Sequence, residues 1–165
     1  MDALYSAASR VYPSRRNWGR CEVAKSLFER LGGTDAITAV VKDFRDRCGG
    51  DSRINAKFAR TDMARLTSML IDQVSEAAGG PAKYTGRDMK TAHADMRVTT
   101  GEFNALVEDL IATLNKFGVG KAEQDELLGI LGPLKSDIVE VESSATGTPL
   151  PDAYEAAQAL STAKS

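Results

Sequence analysis

The stretch "YTGRDMKTAHADM", Tyr84 to Met96, carries His93, the only histidine in 165 residues. A neutral imidazole is a good iron ligand, because one ring nitrogen coordinates while the other donates to a backbone carbonyl. The same ring beside apolar helices also serves as an ordinary core side chain. His93 alone does not separate the two readings, so its surroundings must. "PAKYTGR" ahead of it reads as loop, and the histidine itself is expected on a short helix.

Upstream, "TDMARLTSMLIDQVSEAAGG" is a helix with a Thr61/Asp62 cap and a glycine pair, Gly79-Gly80, at its end. Its inward stripe is Leu66, Leu70, Gln73 or Val74, and Ala77, flanked by Met63 and Met69. Before it, "GGDSRINAKF" is a break followed by a short turn ending at Phe58. "DAITAVVKDFRDRC", expected to be capped by Thr34, places Ile37, Val40, Val41, Phe44 and Cys48 on one face at three-and-four spacing. "SLFERLGG" is a short helix closed by a first glycine pair, Gly32-Gly33.

Downstream, "TTGEFNALVEDLIATLNKFG" is the clearest amphipathic helix, with Phe103, Leu106, Leu110, Leu114 and Phe117 inward and Gly118 as its stop. "KAEQDELLGILGPLKSDIVEV" is a last long helix weakened by Gly129 and Gly132-Pro133. No strand alternation occurs, so the class is all-α. Residues 26–141 form the expected domain. Residues 142–165 begin with linker composition, "ESSATGTPLP", and end in a marginal helical tail. Residues 1–25 are rich in Arg and Ser and poor in acids, which fits either a transit peptide or an arm docked through Tyr5, Tyr12 and Trp18.

Several classes of function are excluded by composition. A formal charge of −2 gives no field for nucleic acid, and no apolar run approaches a transmembrane span. Cys21 and Cys48 lack metal or redox spacing, and with one histidine they cannot close a zinc site. There is no phosphate-binding glycine loop, Ser/His/Asp set or paired-carboxylate site.

The order of helices and glycine pairs, with "LFERLGG", the "KDF" before Arg45, Phe58 before "TDMARL", "AAGG" and "YTGRDMKTAHADM", resembles the group I truncated haemoglobins. The resemblance covers roughly Ser26 to Val141 and implies a globin-like two-over-two helical sandwich with N- and C-terminal extensions. It also implies one haem per chain, with His93 as the iron's proximal ligand. Phe44, Phe58, Leu66, Met69, Leu70, Tyr84, Met89, Leu106 and Leu110 are the residues expected around the cofactor, and Arg45 is the expected distal contact. By default the apolar members of that set are core residues.

The chain departs from the family on the distal side. Arg45 stands where a tyrosine hydroxyl usually serves the gas ligand, and Leu66 and Leu70 stand where polar groups are usual. Arg45 either faces the pocket or turns to solvent towards Asp43 or Asp46, because an unpaired guanidinium is costly among apolar side chains. The second orientation leaves an apolar distal side. Met69 occupies a position that is a second iron-binding histidine in some relatives, so a His93/Met69 pair is a further option. Lys57 replaces an aromatic residue beside Phe58, and Gln73 and Glu76 replace bulky apolar ones, which opens the prospect of a lost haem.

Two functions are therefore weighed. The first is a haem protein that binds oxygen, carbon monoxide or nitric oxide. Nitric oxide dioxygenation is the turnover the resemblance implies, and a separate reductase would be needed because no flavin or nicotinamide motif is present. The second is a haem-free globin scaffold that joins a protein assembly through residues 1–25 and 142–165. Either is expected inside the cell, in the cytoplasm, or in a mitochondrion or chloroplast if residues 1–25 are a transit peptide.

Overall fold

The computed structural model describes residues 24–154. Seven α-helices follow one another in this span: α1 (Leu27–Arg30), α2 (Gly33–Gly50), α3 (Met63–Ala77), α4 (Met89–His93), α5 (Thr100–Lys116), α6 (Lys121–Leu131) and α7 (Lys135–Ile138). Short 3-10 turns at Asn55–Phe58 and Gly132–Leu134 join α2 to α3 and α6 to α7. Among the described residues the only β feature is an isolated parallel bridge between Thr99 and Val141. The all-α expectation holds.

Local signals start and stop most of these helices. Ser26 and Thr99 each form a reciprocal cap with a glutamate three residues on, Glu29 and Glu102, so both partners satisfy amides that the helix leaves free. Asp62 caps α3 through the amides of Ala64 and Arg65, and Asp88 caps α4 through that of Thr91. Thr34 does not cap α2. The helix begins two residues earlier than that cap implies, at Gly33 behind Gly32 at φ +97°, because the glycine pair is itself the turn. The last long helix is divided as Gly132-Pro133 suggested, since proline cannot donate into the preceding turn.

The second glycine pair fixes how α1 meets α3. Gly79 leaves α3 at φ +81°, and a Cβ on Gly80 would lie 2.4 Å from the Phe28 ring. Only glycine lets that ring lie across the end of α3, where the Phe28 amide donates to the Ala78 carbonyl at 2.8 Å.

α2 packs against α3 and α5, α1 packs against α6, and α4 lies on α7. The apolar residues do not merge into a single core, as they do in most domains of this size. Leu27, Ala78, Leu114 and Leu127 form one cluster, Cys48, Ile54 and Ala105 a second, and Met96, Val98, Phe103, Ile138 and Tyr154 a third. Phe44, Leu66, Leu70, Leu106 and Leu110 sit at inward helical positions yet are only half-buried. A cavity lies in front of them.

Two expectations need correction. Phe117 is 42% exposed, because α5 ends at Lys116 and the chain turns outward through Gly118 at φ +68°. More consequentially, the stretch from Glu142 to Tyr154 does not behave as the linker its composition suggests. Ser143 O accepts from Gly101 N at 2.9 Å, and Gly147 N donates to Arg53 O at 2.6 Å. Thr148 donates to Glu102 through both its amide and its hydroxyl, at 2.8 and 2.6 Å. Tyr154 is buried in the third cluster. The strap passes so close to α5 that a Cβ on Gly101 would meet Ser144 O at 2.4 Å. Polar residues that look like linker in sequence are here backbone and hydroxyl partners of the helix they cross. The expected arm at residues 1–25 lies almost wholly, and the tail after Tyr154 entirely, outside the described residues.

Candidate functional site

A cavity of about 690 Å³ opens between the three clusters. Its size falls among pockets that enclose a ligand of drug or cofactor dimensions, roughly 300–1,000 Å³. α2 contributes Val40, Val41, Phe44, Arg45 and Cys48; α3 contributes Met63, Leu66, Leu70, Gln73 and Val74; Phe58 comes from the 3-10 turn between them. Phe103, Leu106, Val107 and Leu110 of α5 form another wall, and Leu127, Leu131, Leu134 and Ile138 extend it along α6, the turn after it and α7. Met89 and His93 enter from α4. The lining is mostly aliphatic and aromatic.

His93 is placed by a short helix and oriented by a single bond. Its Nδ1 lies 2.8 Å from the Met89 carbonyl oxygen. A carbonyl only accepts, so Nδ1 carries the hydrogen and Nε2 keeps the lone pair. Burial pushes the imidazole pKa below its ordinary value, against smaller raising effects from the Met89 carbonyl and the Glu140 charge. The ring is therefore neutral near pH 7, the state that binds a metal.

Arg45 takes the outward orientation. Its Nε and Nη2 donate to Asp46 Oδ1 at 2.9 and 2.6 Å, and Nη1 donates to Thr67 Oγ1 at 3.2 Å. The side chain borders the cavity, and three of its five N–H donors, one on each nitrogen, are committed to these neighbours. Gln73 places a side-chain amide on the same α2–α3 wall, and its Nε2 lies 3.5 Å from Met89 Sδ. Cys48 also borders the cavity. Burial, reinforced by the charges of Asp109 and Asp51, pushes its thiol up to about 12.

The sequence-derived set is thus mostly brought together: Phe44, Arg45, Phe58, Leu66, Leu70, Met89, His93, Leu106 and Leu110 all line the cavity. Met69 and Tyr84 do not. Met69 is one residue out of phase with Leu70 on α3, so a His93/Met69 pair gains no support from this geometry. The Tyr84 hydroxyl donates to the Arg87 carbonyl at 2.7 Å. Of the three polar replacements that raised the prospect of a lost haem, two point elsewhere: Lys57 is buried against Glu102 at 3.5 Å, and Glu76 accepts from the Tyr84 amide and from Lys83, whereas Gln73 does line the cavity. Missed lining residues from α6 through the 3-10 turn to α7, Leu127, Leu131, Leu134 and Ile138, follow three-and-four spacing and were recoverable from it.

Comparison with known proteins bears on the family and the fold. Residues 26–140 match the family model for bacterial-like globins. The group 1 truncated haemoglobin of Tetrahymena pyriformis is 32% identical over 115 residues, covering 70% of this chain and 95% of that protein. The chain belongs to the group 1 truncated haemoglobins. A Synechocystis member, GlbN, is 37% identical over 111 residues, covering 65% of this chain and 90% of its own. The crystal structure of the Tetrahymena pyriformis truncated haemoglobin in its Fe(III) form matches with a TM-score of 0.67, covering 70% of this chain and 98% of that one. A 2/2 haemoglobin of a Synechococcus species, crystallised in the cyanomet state with covalently attached haem, is 33% identical with a TM-score of 0.66 and the same coverage. The two-over-two globin fold of this truncated haemoglobin therefore stands on sequence and structure together. Among the described residues no helix is long and apolar enough to cross a membrane.

Proposed function

We propose that this truncated haemoglobin holds one haem in the cavity, with His93 Nε2 as the iron's protein ligand, and binds a diatomic gas reversibly. The observation that carries the reading is the pairing of a neutral, Nδ1-anchored imidazole with an apolar cavity of cofactor size. Haem, when bound, supplies an iron able to take oxygen, carbon monoxide or nitric oxide. Phe44, Phe58, Leu66, Leu70, Leu106 and Leu110 exclude water and hold the macrocycle by apolar contact.

The α2–α3 wall offers a gas ligand few hydrogen-bonding groups, because Arg45 is tied to Asp46 and Thr67, the Gln73 amide nitrogen is directed at Met89 Sδ, and the usual polar positions are leucines. Oxygen, the more polar ligand when bound, gains least from such a wall, and carbon monoxide loses less. Plain binding therefore ranks above nitric oxide dioxygenation, which in this chain also needs an external reductase. The competing reading, a haem-free docking subunit, is disfavoured by the strap: its buried anchor Tyr154 is used on its own domain. The test is an absorption spectrum of purified protein with stoichiometric hemin, ferric and dithionite-reduced. A sharp Soret band that moves on carbon monoxide addition, and is lost in His93→Ala, is expected. A band like that of free hemin in both proteins would overturn the reading.

A further inference from the structure

The loop leaving His93 is held in an unusual way. Asp95 (φ +65°) and Arg97 (φ +53°) are both left-handed although neither is glycine. Such conformations persist only where the surroundings over-determine them. Their two amides donate to the two oxygens of one carboxylate: Asp95 N to Glu140 Oε1 at 2.9 Å and Arg97 N to Glu140 Oε2 at 2.5 Å. The carbonyls of the same loop are taken by a cation. Lys57 Nζ donates to Met96 O at 2.9 Å and to Arg97 O at 3.4 Å, and lies 3.5 Å from Glu102 Oε2. Lys57 is only 4% exposed.

We propose that Lys57 and Glu140 are positioning residues for His93, a cation and an anion that grip the 95–97 loop and so fix how the imidazole meets the haem iron. This rests on the haem reading above. α4 has five residues, too few to keep its direction unaided. His93 is the last of them, and the Nδ1 bond to Met89 fixes the ring to α4 but not α4 to the cavity. That second task falls to the gripped loop together with α7, on which α4 lies. Hydrogen bonds to charged groups are stronger than neutral ones, and four of them converge on three residues. Lys57 also adjoins Phe58, so the turn that supplies one cavity wall supplies one jaw of the clamp.

The test uses E140Q and K57M, read with and without haem. In haem-free protein, hydrogen exchange at the Asp95 and Arg97 amides should quicken by about tenfold or more, with α5 amides unchanged in E140Q. In haem-loaded protein, haem transfer to excess apomyoglobin should quicken by about tenfold. The ferrous iron–histidine stretching band should shift or broaden, a change that general loss of stability does not produce. K57M removes a buried charge and is the variant at risk of misfolding; Glu140 is exposed, so E140Q decides the matter alone. Wild-type exchange, haem release and stretching band in E140Q would overturn the proposal and leave the haem reading standing. A wild-type haem spectrum that does not depend on His93 would instead remove the haem reading and, with it, the role given to the clamp.

Discussion

At the scale of single residues, the charged departures from the family pattern, Arg45, Lys57 and Glu76, have been absorbed by pairing. Arg45 is the case that bears on ligand binding. Because its guanidinium is held by Asp46 and Thr67 through each of its three nitrogens, Arg45→Ala should change oxygen and carbon monoxide dissociation rates by less than about threefold, under about 0.7 kcal/mol. Asp46→Ala, which frees the guanidinium, should slow oxygen release relative to carbon monoxide; stopped-flow displacement measures both. Cys48 makes a second prediction. With 2% exposure and a thiol pushed up to about 12, it should resist an aromatic disulfide reagent at pH 8 in a Cys21→Ser background and react only on unfolding. Prompt reaction of the native protein would contradict its placement.

At the scale of elements, the helices were legible because their inward residues recur at three-and-four spacing and their ends carry caps and glycines. The same regularity made most of the cavity lining legible: Phe44, Leu66, Leu70, Leu106 and Leu110 face inward for the reason core residues do. What the pattern could not resolve was helical phase to one residue, which separates Leu70 from Met69, or the direction of a side chain on a turn, which sends Lys57 away from the cavity. The strap was illegible for a different reason. Its order comes from long-range bonds between Thr148 and Glu102, Ser143 and Gly101, and Gly147 and Arg53, which leave no local periodicity. Tyr154→Ala should therefore cost roughly 3 kcal/mol, as other buried aromatic truncations do, visible as a lower denaturation midpoint. An exposed linker would lose almost nothing.

For the whole molecule, stability should depend on pH through an acid pair, the buried Asp109 and the half-buried Asp51. Asp109 is 7% exposed with Oδ2 unpartnered. Burial, and then the Asp51 charge, raises its pKa above the ordinary carboxylate value, while hydrogen bonding to Arg53 lowers that of Asp51. A carboxyl with a raised folded pKa adds stability below its unfolded pKa and loses it as pH rises through the folded one. Asp109→Asn, which keeps a donor for Asp51 without the charge, should raise the melting temperature at pH 7. The gain should vanish below the ordinary aspartate range, where wild-type Asp109 is protonated.

The central claim is that the lone histidine is the iron's ligand, and its singularity makes the claim directly measurable. Protein grown with histidine ¹⁵N-labelled at Nδ1 and loaded with ferrous haem should give one exchangeable proton, coupled to that nitrogen and shifted far outside the diamagnetic range. Such a signal comes only from an Nδ1–H on a ring whose other nitrogen is bound to high-spin iron. A histidine resonance left at its diamagnetic position after haem is added would contradict the account.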